Sequence, residues 1–512
     1  MSPPDPGFVI GGAKAPPRLF PDQTGGHPRG VLLVAFVELW ERFSFFGVTG
    51  LLILFLTGSS AAGGWGWPAD AALRFTGWYT GVLMMSPLLG GWLAGRHLSE
   101  RACIKWGAIL VTVGHVFFLL SYLLPTLLGT IHHIDIASLL QTPGLRLGGF
   151  SPGASDIERV TLALDRFGPH STQVTLHYFR QAYGLNSALF YVGMAFLLAG
   201  TALIKPTVSS IISSFYRRDD PRRNEGFQLL YMGLYAGCFL GLTVPGLVAD
   251  RIGWQYGFSV AGAGMLVGLL SYLSLQRTWL GGHGQDVQRR IRAEPGPRAA
   301  SGSTLLYLAH GAFTIVYIAL SYQTIGAFSL YVENDVDRNL LGLDVPATWI
   351  QSVSVISFLF SSPLLVLLWR RLDKVGMTVS ATHRSAVALA VLTVSLAIFA
   401  AVVGLASPGG KPSLLWFVAP YFLIGLGDAL LLPSQIALVT RLAGPGREAL
   451  LVSGWFVFVG LGVLASGYLG AWGLSLPMGT FLGGLTAAAF LSGAAYFASS
   501  RRLDRSLGAL SS

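Results

Sequence analysis

Three charged residues stand inside a hydrophobic stretch near the start of the chain. The segment VELWERFSFFG holds Glu38, Glu41 and Arg42. Positions i, i+3 and i+4 of a helix share one face, so both carboxylates and the guanidinium would point together. Because a charge facing lipid costs several kcal/mol, we predict that the three face an interior cavity and neutralise one another.

A fourth charge, Lys205, lies in the apolar run LAGTALIKPTVSS. Its expected partner is a carboxylate of the first hydrophobic stretch. Two acids and two bases held together can exchange a proton, since protonation of one acid releases a cation from its ion pair. The alternative is a structural ion-pair network that holds two helices together.

A single acid, Asp428, stands in the run YFLIGLGDALLLPSQ. An ionisable residue within a membrane-type segment marks a substrate or ion pathway by default. The alternative is a helix-packing acid that is bonded to a Ser or a Tyr.

The composition of the chain predicts that the elements that position these charges are membrane-spanning helices. The chain has 512 residues, of which 52% are hydrophobic and 11% charged, whereas about a quarter of a typical soluble domain is charged. We therefore expect an all-α integral membrane protein. Twelve stretches are long and apolar enough to span the bilayer as helices; they lie near 31–57, 75–95, 104–125, 186–212, 226–248, 254–276, 303–331, 348–370, 382–406, 414–440, 449–470 and 477–499.

The positive residues predict the orientation, because Lys and Arg are retained on the cytoplasmic side. They concentrate in alternate loops, and the opposite short loops hold few, such as Arg251, Arg338 and Lys411. Both termini are therefore expected in the cytoplasm. Since the net charge of +10 is spread over these loops and forms no single patch, nucleic acid is not expected as a partner.

A polar linker at 277–302 divides the chain into six spans before and six after, the plan of major facilitator transporters. The predicted parts are a disordered cytoplasmic tail at 1–30, bundles at 31–276 and 303–499, and a second tail at 500–512. A long external insertion at 126–185 separates the third and fourth spans. Its segment 156–167 has helical spacing and is expected at the membrane surface or outer gate, or else as a decoration without a transport role.

The motif Glu38-x-x-Glu41-Arg42-Phe43, followed by Gly47, resembles the ExxERF signature of the proton-dependent oligopeptide transporter family. The tract around Lys205 and Pro206 is similar to the family's fourth span. Further matches extend the resemblance over nearly the whole chain; they are Gly226, Tyr231, Gly233, Gly237, Gln323, Pro346, Trp349, Gln351, Pro363, Gly427, Pro433, Trp455 and Phe456.

The resemblance implies a symporter that imports di- or tripeptides by alternating access, with the proton gradient as energy source and no cofactor. It assigns proton coupling to Glu38, Glu41, Arg42 and Lys205, and it places Asp428 where the family binds the peptide amino terminus. The implied substrate site comprises Arg42, Phe45, Phe46, Thr49, Lys205, Tyr235, Gln323, Ser354, Asp428 and Trp455.

Several of these positions depart from the family pattern. Phe45 and Phe46 replace a tyrosine pair, Thr49 replaces an arginine that partners the peptide carboxylate, and Tyr235 and Ser354 replace asparagines. Loss of a buried guanidinium removes a hydrogen bond worth roughly 1.5–3 kcal/mol. Either peptides remain the substrate with altered affinity, or the more aromatic cavity accepts a different small molecule; we favour the first because Asp428 still offers an anion to an amine.

Other functional classes, such as an enzyme, a sensor or an exporter, agree less well with the sequence than a symporter does. There is no zinc-type His cluster, and no phosphate-binding loop that would indicate ATP as energy source, so neither a metal site nor an enzyme is expected. A non-transporting sensor would not need costly buried charges, while a proton-driven exporter differs from a symporter only in direction. Richness in Gly, Ala and Arg favours a bacterial inner membrane. A monomer is expected.

Overall fold

The computed structural model describes residues 26–164, 169–216, 220, 222–285, 301–377, 379–406, 410–443 and 448–511. Residues 1–25 of the predicted N-terminal tail and most of the linker lie outside this part of the chain. The helices within it are α1 (Arg29–Thr57), α2 (Ala69–Met85), α3 (Pro87–Arg96), α4 (Glu100–Ile131), α5 (Ile136–Leu140), α6 (Ala154–Leu164), α7 (Pro169–Ser214), α8 (Arg222–Arg251), α9 (Trp254–Trp279), α10 (Ser301–Ser321), α11 (Ala327–Asp335), α12 (Ala347–Lys374), α13 (Ala381–Leu405), α14 (Val418–Ala443), α15 (Glu448–Gly473) and α16 (Met478–Ser511).

The other regular elements are short. Single 3₁₀ turns lie at Ser60–Ala62, Tyr322–Thr324 and Leu414–Phe417. Strands β1 (Asn339–Leu340) and β2 (Leu343–Asp344) form an antiparallel hairpin. Its two central residues, Leu341 and Gly342, both have positive φ angles, as a tight two-residue hairpin turn requires. The described chain is therefore almost entirely helical.

Eleven stretches of the described residues are long and apolar enough to cross a membrane, and they coincide with eleven of the twelve predicted spans. The predicted second span is divided into α2, with 17 residues, and α3, with 10. The division falls at Ser86, because Pro87 has no N–H with which to continue the helical hydrogen bonds. The Ser86 carbonyl still accepts from Leu89 and Gly90. The count of twelve stays a prediction.

The predicted insertion is smaller than its limits of 126–185. Helix α4 continues to Ile131 and α7 already begins at Pro169, because helical hydrogen bonding extends past the apolar stretch that sets a predicted span. At the other end of the chain, α16 likewise continues to Ser511, through the predicted tail.

The part of the insertion between the end of α4 and the start of α7 packs against the rest of the N-terminal half. In α6, Val160 and Leu164 are buried as the helical spacing predicted, and Phe167 lies outside the described residues. The Leu147 carbonyl accepts from Trp67 Nε1 at 2.6 Å, and the Gly148 carbonyl accepts from the Tyr191 hydroxyl at 2.7 Å. The insertion thus closes over the loop between α1 and α2, and its position outside the membrane stays a prediction.

The helices before residue 285 pack mainly on one another, as do those after residue 301. We call the end that holds the start of α1 and the end of α16 the terminal end, and the opposite one the distal end. Among the described residues, three polar contacts join the halves at the distal end. Trp349 Nε1 donates to the Thr243 carbonyl at 3.0 Å, Arg251 donates to the Asp344 carbonyl, and Arg338 Nη1 lies 4.0 Å from Asp250.

The halves also meet where α2 crosses α15. A Cβ atom added at Gly77 would lie 2.6 Å from Gly467 Cα, and one added at Gly81 would lie 2.7 Å from the Gly460 carbonyl oxygen. Small residues of this kind let two membrane helices approach until their backbones touch. The seam therefore has no room for a side chain.

We expect Gly77→Val to destabilise the protein by roughly 1–3 kcal/mol, because the new side chain would push α2 away from α15. Gly483→Val on α16 is the matched control, since nothing lies within 4 Å of a Cβ at that glycine. The measurement is the thermal unfolding midpoint of both purified variants in one detergent. Equal midpoints would contradict the close packing of the seam.

Candidate functional site

The charged residues of α1 form one buried cluster. Arg42 Nε lies 2.8 Å from Glu38 Oε1 and 2.9 Å from Glu41 Oε2. The exposed fractions of Glu38, Glu41 and Arg42 are 4%, 1% and 8%. The predicted face of α1 is thus assembled, with a single guanidinium between two carboxylates.

Helix α8 holds this cluster in place. Its glycines at every fourth position face α1, and a Cβ atom at Gly233 or Gly241 would lie within 2.6 Å of an α1 carbonyl oxygen. A Cβ at Gly237 would lie 2.1 Å from the Leu39 carbonyl oxygen and 2.8 Å from Arg42 Cβ. The stripe lets the two backbones touch and leaves Arg42 no room to withdraw from the acids.

The carboxyl group of Glu41 is the least satisfied member of the cluster. Both of its oxygens are buried and, like Glu38 Oε2, accept no hydrogen bond of good geometry among the described residues; Arg42 Nε lies 2.9 Å from Oε2, and the Thr201 side chain is a neighbouring donor. A buried carboxylate without hydrogen bonds is costly, and a proton removes its charge. Glu41 therefore has the surroundings of a group that gains or loses a proton when its environment changes.

Lys205 does not form the direct ion pair that the sequence predicted. Among the described residues its Nζ lies 3.5 Å from Met84 Sδ and 4.5 Å from the centroid of the Phe45 ring, and no carboxylate lies within 4 Å. The guanidinium of Arg42 lies 5.4 Å from the same ring. Phe45 thus provides a shared aromatic face for two cations, and Lys205 remains available to an anion.

Asp428 lies in the other half of the molecule, on α14. Its Oδ1 accepts a hydrogen bond of 2.9 Å from the Tyr317 hydroxyl of α10. A tyrosine partner is the arrangement that the packing alternative described. Asp428 also lies near Tyr235 of the N-terminal half, so it is close to the boundary between the halves.

An aromatic stack connects the halves beside these charges. The rings of Tyr235, on α8, and Phe358, on α12, lie 4.1 Å apart with an angle of 24° between their planes. Phe45 and Phe46 contact edge to face at 5.2 Å. The predicted aromatic character of the site is therefore present in its geometry.

The other predicted binding residues are engaged in internal contacts. The Thr49 hydroxyl donates to the Phe45 carbonyl at 2.9 Å, and Ser354 donates to the Gln351 carbonyl at 2.7 Å. Gln323 is fully buried and donates to the Ala319 and Ser466 carbonyls. Trp455 is buried, and its Nε1 has no partner among the described residues. Of the four, only Trp455 keeps an unused donor.

Sequence reasoning missed several neighbours of the site. Met84 contacts Lys205, and Tyr317 holds Asp428. Cys238, which reads as a packing residue, interacts electrostatically with Arg42, Glu41 and Lys205. Its place three residues after Tyr235 on α8, hence on the same helix face, was the one available signal.

Comparison with known proteins decides the family. The family profile described as PTR2, POT family, matches residues 101–280 and 305–472, which is more than half of the chain. The chain belongs to the POT family. This confirms the family that the ExxERF resemblance predicted.

Relatives of this POT family member are distant and nearly full length. The peptide transporter YePEPT of Yersinia enterocolitica is 25% identical over 87% of this chain and 88% of its own. The uncharacterized transporter YclF of Bacillus subtilis is 24% identical over 84% and 85%. A crystal structure of a peptide transporter POT in complex with sulfate superposes with a TM-score of 0.75 at 21% identity, covering 95% of this chain and 98% of that one.

These findings establish the class of the protein. It is an integral membrane transporter and not an enzyme. A solved POT family transporter in complex with 5-aminolevulinic acid has the same fold, with a TM-score of 0.74 at 19% identity.

Replacing Arg42, the cation shared by Glu38 and Glu41, tests whether the two buried carboxylates depend on it for stability. We expect Arg42→Met to destabilise the protein by about 3–5 kcal/mol, because two buried carboxylates lose their only ion-pair partner in this cluster. The loss should be smaller in acidic buffer, where the acids can become neutral. The thermal unfolding midpoint in detergent measures it.

The matched control is the triple variant Glu38→Gln, Glu41→Gln, Arg42→Met, which removes all three charges together. We expect its unfolding midpoint to lie closer to that of the wild type, since no buried carboxylate is left without a cation. An Arg42→Met protein as stable as the wild type at alkaline pH would show that the acids do not depend on this cation.

Proposed function

We propose that this protein is a proton-coupled symporter that imports di- or tripeptides, or peptide-like small molecules, by alternating access. The observation that carries the proposal is the buried Glu38–Arg42–Glu41 cluster with Lys205 held beside it on Phe45. The peptide part rests on family membership and on the peptide transporters among the relatives.

The proton is assigned to Glu41. Its carboxyl group is buried and accepts no hydrogen bond of good geometry among the described residues, so we take it as the acid whose charge costs most to keep. When Glu41 is protonated, Arg42 is left with Glu38 alone, and the two cations around Phe45 can attract an anionic group. Loss of the proton restores the second ion pair and releases that group, which couples the proton to the substrate.

The substrate site is placed between the halves. Arg42 and Lys205 offer positive charge on the N-terminal side, and Asp428 offers negative charge on the C-terminal side. A dipeptide has a carboxylate at one end and an ammonium at the other, which matches this arrangement. Tyr235 and Phe358 would contact its side chains.

The distal contacts between the halves fit an alternating-access cycle. Arg338 and Asp250, Arg251 and the Asp344 carbonyl, and Trp349 and the Thr243 carbonyl join the halves on that side. We propose that the distal side is the cell exterior, as the positive loops predict, and that these contacts break when the site opens outward.

A proton-coupled carrier of a non-peptide small molecule is the second candidate. One observation favours it: the Thr49 hydroxyl is bonded to the Phe45 carbonyl, so this position gives a peptide carboxylate no donor. A solved relative holds 5-aminolevulinic acid, which also has an ammonium and a carboxylate group. The same charges would serve such a ligand.

We expect Glu41→Gln to abolish dialanine uptake driven by an inward proton gradient, because glutamine cannot exchange a proton. Exchange of external for internal dialanine, which needs no net proton movement, should remain. The measurement uses labelled dialanine and proteoliposomes, with Glu158→Gln on the exposed face of α6 as matched control.

Gradient-driven uptake by Glu41→Gln at the wild-type rate would show that Glu41 is not the residue that couples the proton to transport. Wild-type vesicles that hold folded, correctly inserted protein and yet transport no peptide would refute the peptide assignment. Gradient-driven uptake of 5-aminolevulinic acid by those vesicles would then support the second candidate.

We expect Asp428→Asn to weaken dialanine binding by roughly 10- to 100-fold, as for loss of a charge-assisted hydrogen bond. Binding of N-acetyl-dialanine, which has no ammonium group, should change little. Competition against labelled dialanine in exchange assays measures both affinities, with Asp428→Glu as the variant that keeps the charge. Equal losses for both peptides would show that Asp428 does not bind the amino terminus.

A further inference from the structure

We propose that His115 and Ser44 form a positioning pair that fixes the rotation of α1 and thereby keeps Glu41 in its buried surroundings. This inference rests on the proposed proton role of Glu41. The two residues lie on the side of α1 that faces α4, outside the cluster of charges.

The pair is built from two short hydrogen bonds in the interior. His115 Nε2 lies 2.6 Å from Ser44 Oγ, and His115 Nδ1 lies 3.0 Å from the Phe258 carbonyl oxygen. His115 is 3% exposed and Ser44 1%. One imidazole therefore joins α4, where it stands, to α1 and to α9.

The chemistry of the partners assigns the proton on the ring. A carbonyl oxygen can only accept, so Nδ1 carries the hydrogen that bonds to Phe258. In the neutral ring Nε2 is then the acceptor, and the Ser44 hydroxyl donates to it. Both nitrogens are occupied, which makes His115 a spacer of fixed length between two helices and not a free proton carrier.

The surroundings prevent His115 from following a movement of α1. A Cβ atom added at Gly262 of α9 would lie 2.5 Å from His115 Cβ, so α4 and α9 are in close contact at this level. The ring also meets Phe118 edge to face at 5.6 Å. Ser44 is therefore bonded to a group that cannot shift with it.

Ser44 lies three residues after Glu41, so the two side chains are neighbours one turn apart on the surface of α1. A rotation of α1 that breaks the Ser44 bond would also turn Glu41 away from its surroundings. The charged and titratable groups that face Glu41 are Arg42 and Glu38 on α1, Lys205 on α7 and Cys238 on α8. The His115–Ser44 pair adds no charge to these groups. Its proposed effect is to fix the distances between Glu41 and the groups that face it.

The test measures the protonation of Glu41 directly. Dicyclohexylcarbodiimide reacts with protonated carboxyl groups in apolar surroundings, and mass spectrometry of the peptide that contains Glu41 gives the extent of labelling at each pH. We expect Ser44→Ala to move the labelling midpoint to more acidic pH by about half a unit or more, because a looser α1 lets water reach Glu41. Ser44→Thr keeps the hydroxyl and should restore the wild-type midpoint.

The matched control is Ser395→Ala in the C-terminal half, which removes an equally buried serine bond to a carbonyl oxygen and should leave the midpoint unchanged. A Ser44→Ala midpoint equal to that of the wild type would overturn the inference, and so would a Ser44→Thr midpoint shifted as far as that of Ser44→Ala. Since labelling needs no substrate, this result is independent of whether peptides are transported.

Transport adds a second readout. If both proposals hold, Ser44→Ala should lower gradient-driven dialanine uptake about threefold or more at neutral pH while exchange is retained, since a shift of half a pH unit changes the protonated fraction by a factor of about three. Wild-type vesicles without peptide uptake, combined with a shifted labelling midpoint in Ser44→Ala, would refute the proposed function and leave the positioning pair standing.

Discussion

The cost of keeping charge out of water is the constraint on which the rest of this structure depends. Arg42 lies between Glu38 and Glu41 with all three side chains nearly inaccessible, and none of them would be tolerated there alone. The glycine stripe of α8 follows from this need, because backbone contact between α1 and α8 excludes the water that would otherwise solvate the cluster.

The proposed function depends on the fact that the buried charges of the cluster are only partly compensated by ion pairs and hydrogen bonds. A fully hydrogen-bonded ion-pair network would be inert, whereas the two buried oxygens of Glu41 accept no hydrogen bond of good geometry from the part of the chain that the structure describes. Lys205, which could have supplied the missing partner, is held on Phe45 and Met84 instead. An aromatic face attracts a cation without neutralising it, so under the proposed function Lys205 can bind an anionic ligand while Glu41 accepts a proton.

The two halves contribute opposite charges to the space between them. The N-terminal half supplies the cations, and the C-terminal half supplies Asp428, whose carboxylate is oriented by Tyr317. The halves touch at the Tyr235–Phe358 stack, at the glycine seam of α2 and α15 and at the polar contacts of the distal end. Movement of one half against the other would change the distance between these opposite charges, which links conformation to ligand binding.

The sequence by itself determined the membrane class, eleven of the spans, the family and the charged face of α1. Apolar length, the i, i+3, i+4 spacing and the ExxERF motif are local properties, and local properties can be read along the chain. The division of the second span at Pro87 was also present in the sequence as a proline, although the run of apolar residues concealed it.

Only the tertiary structure decided the contacts that depend on several helices at once. The position of Lys205 on Phe45, the Tyr317 partner of Asp428 and the bond from Gln323 to the Ser466 carbonyl were not predictable. His115 carried no motif, and its bonds to Ser44 and Phe258 join residues 71 and 143 positions away. Which side chains meet across such separations is fixed by how the helices pack, and no local pattern records it.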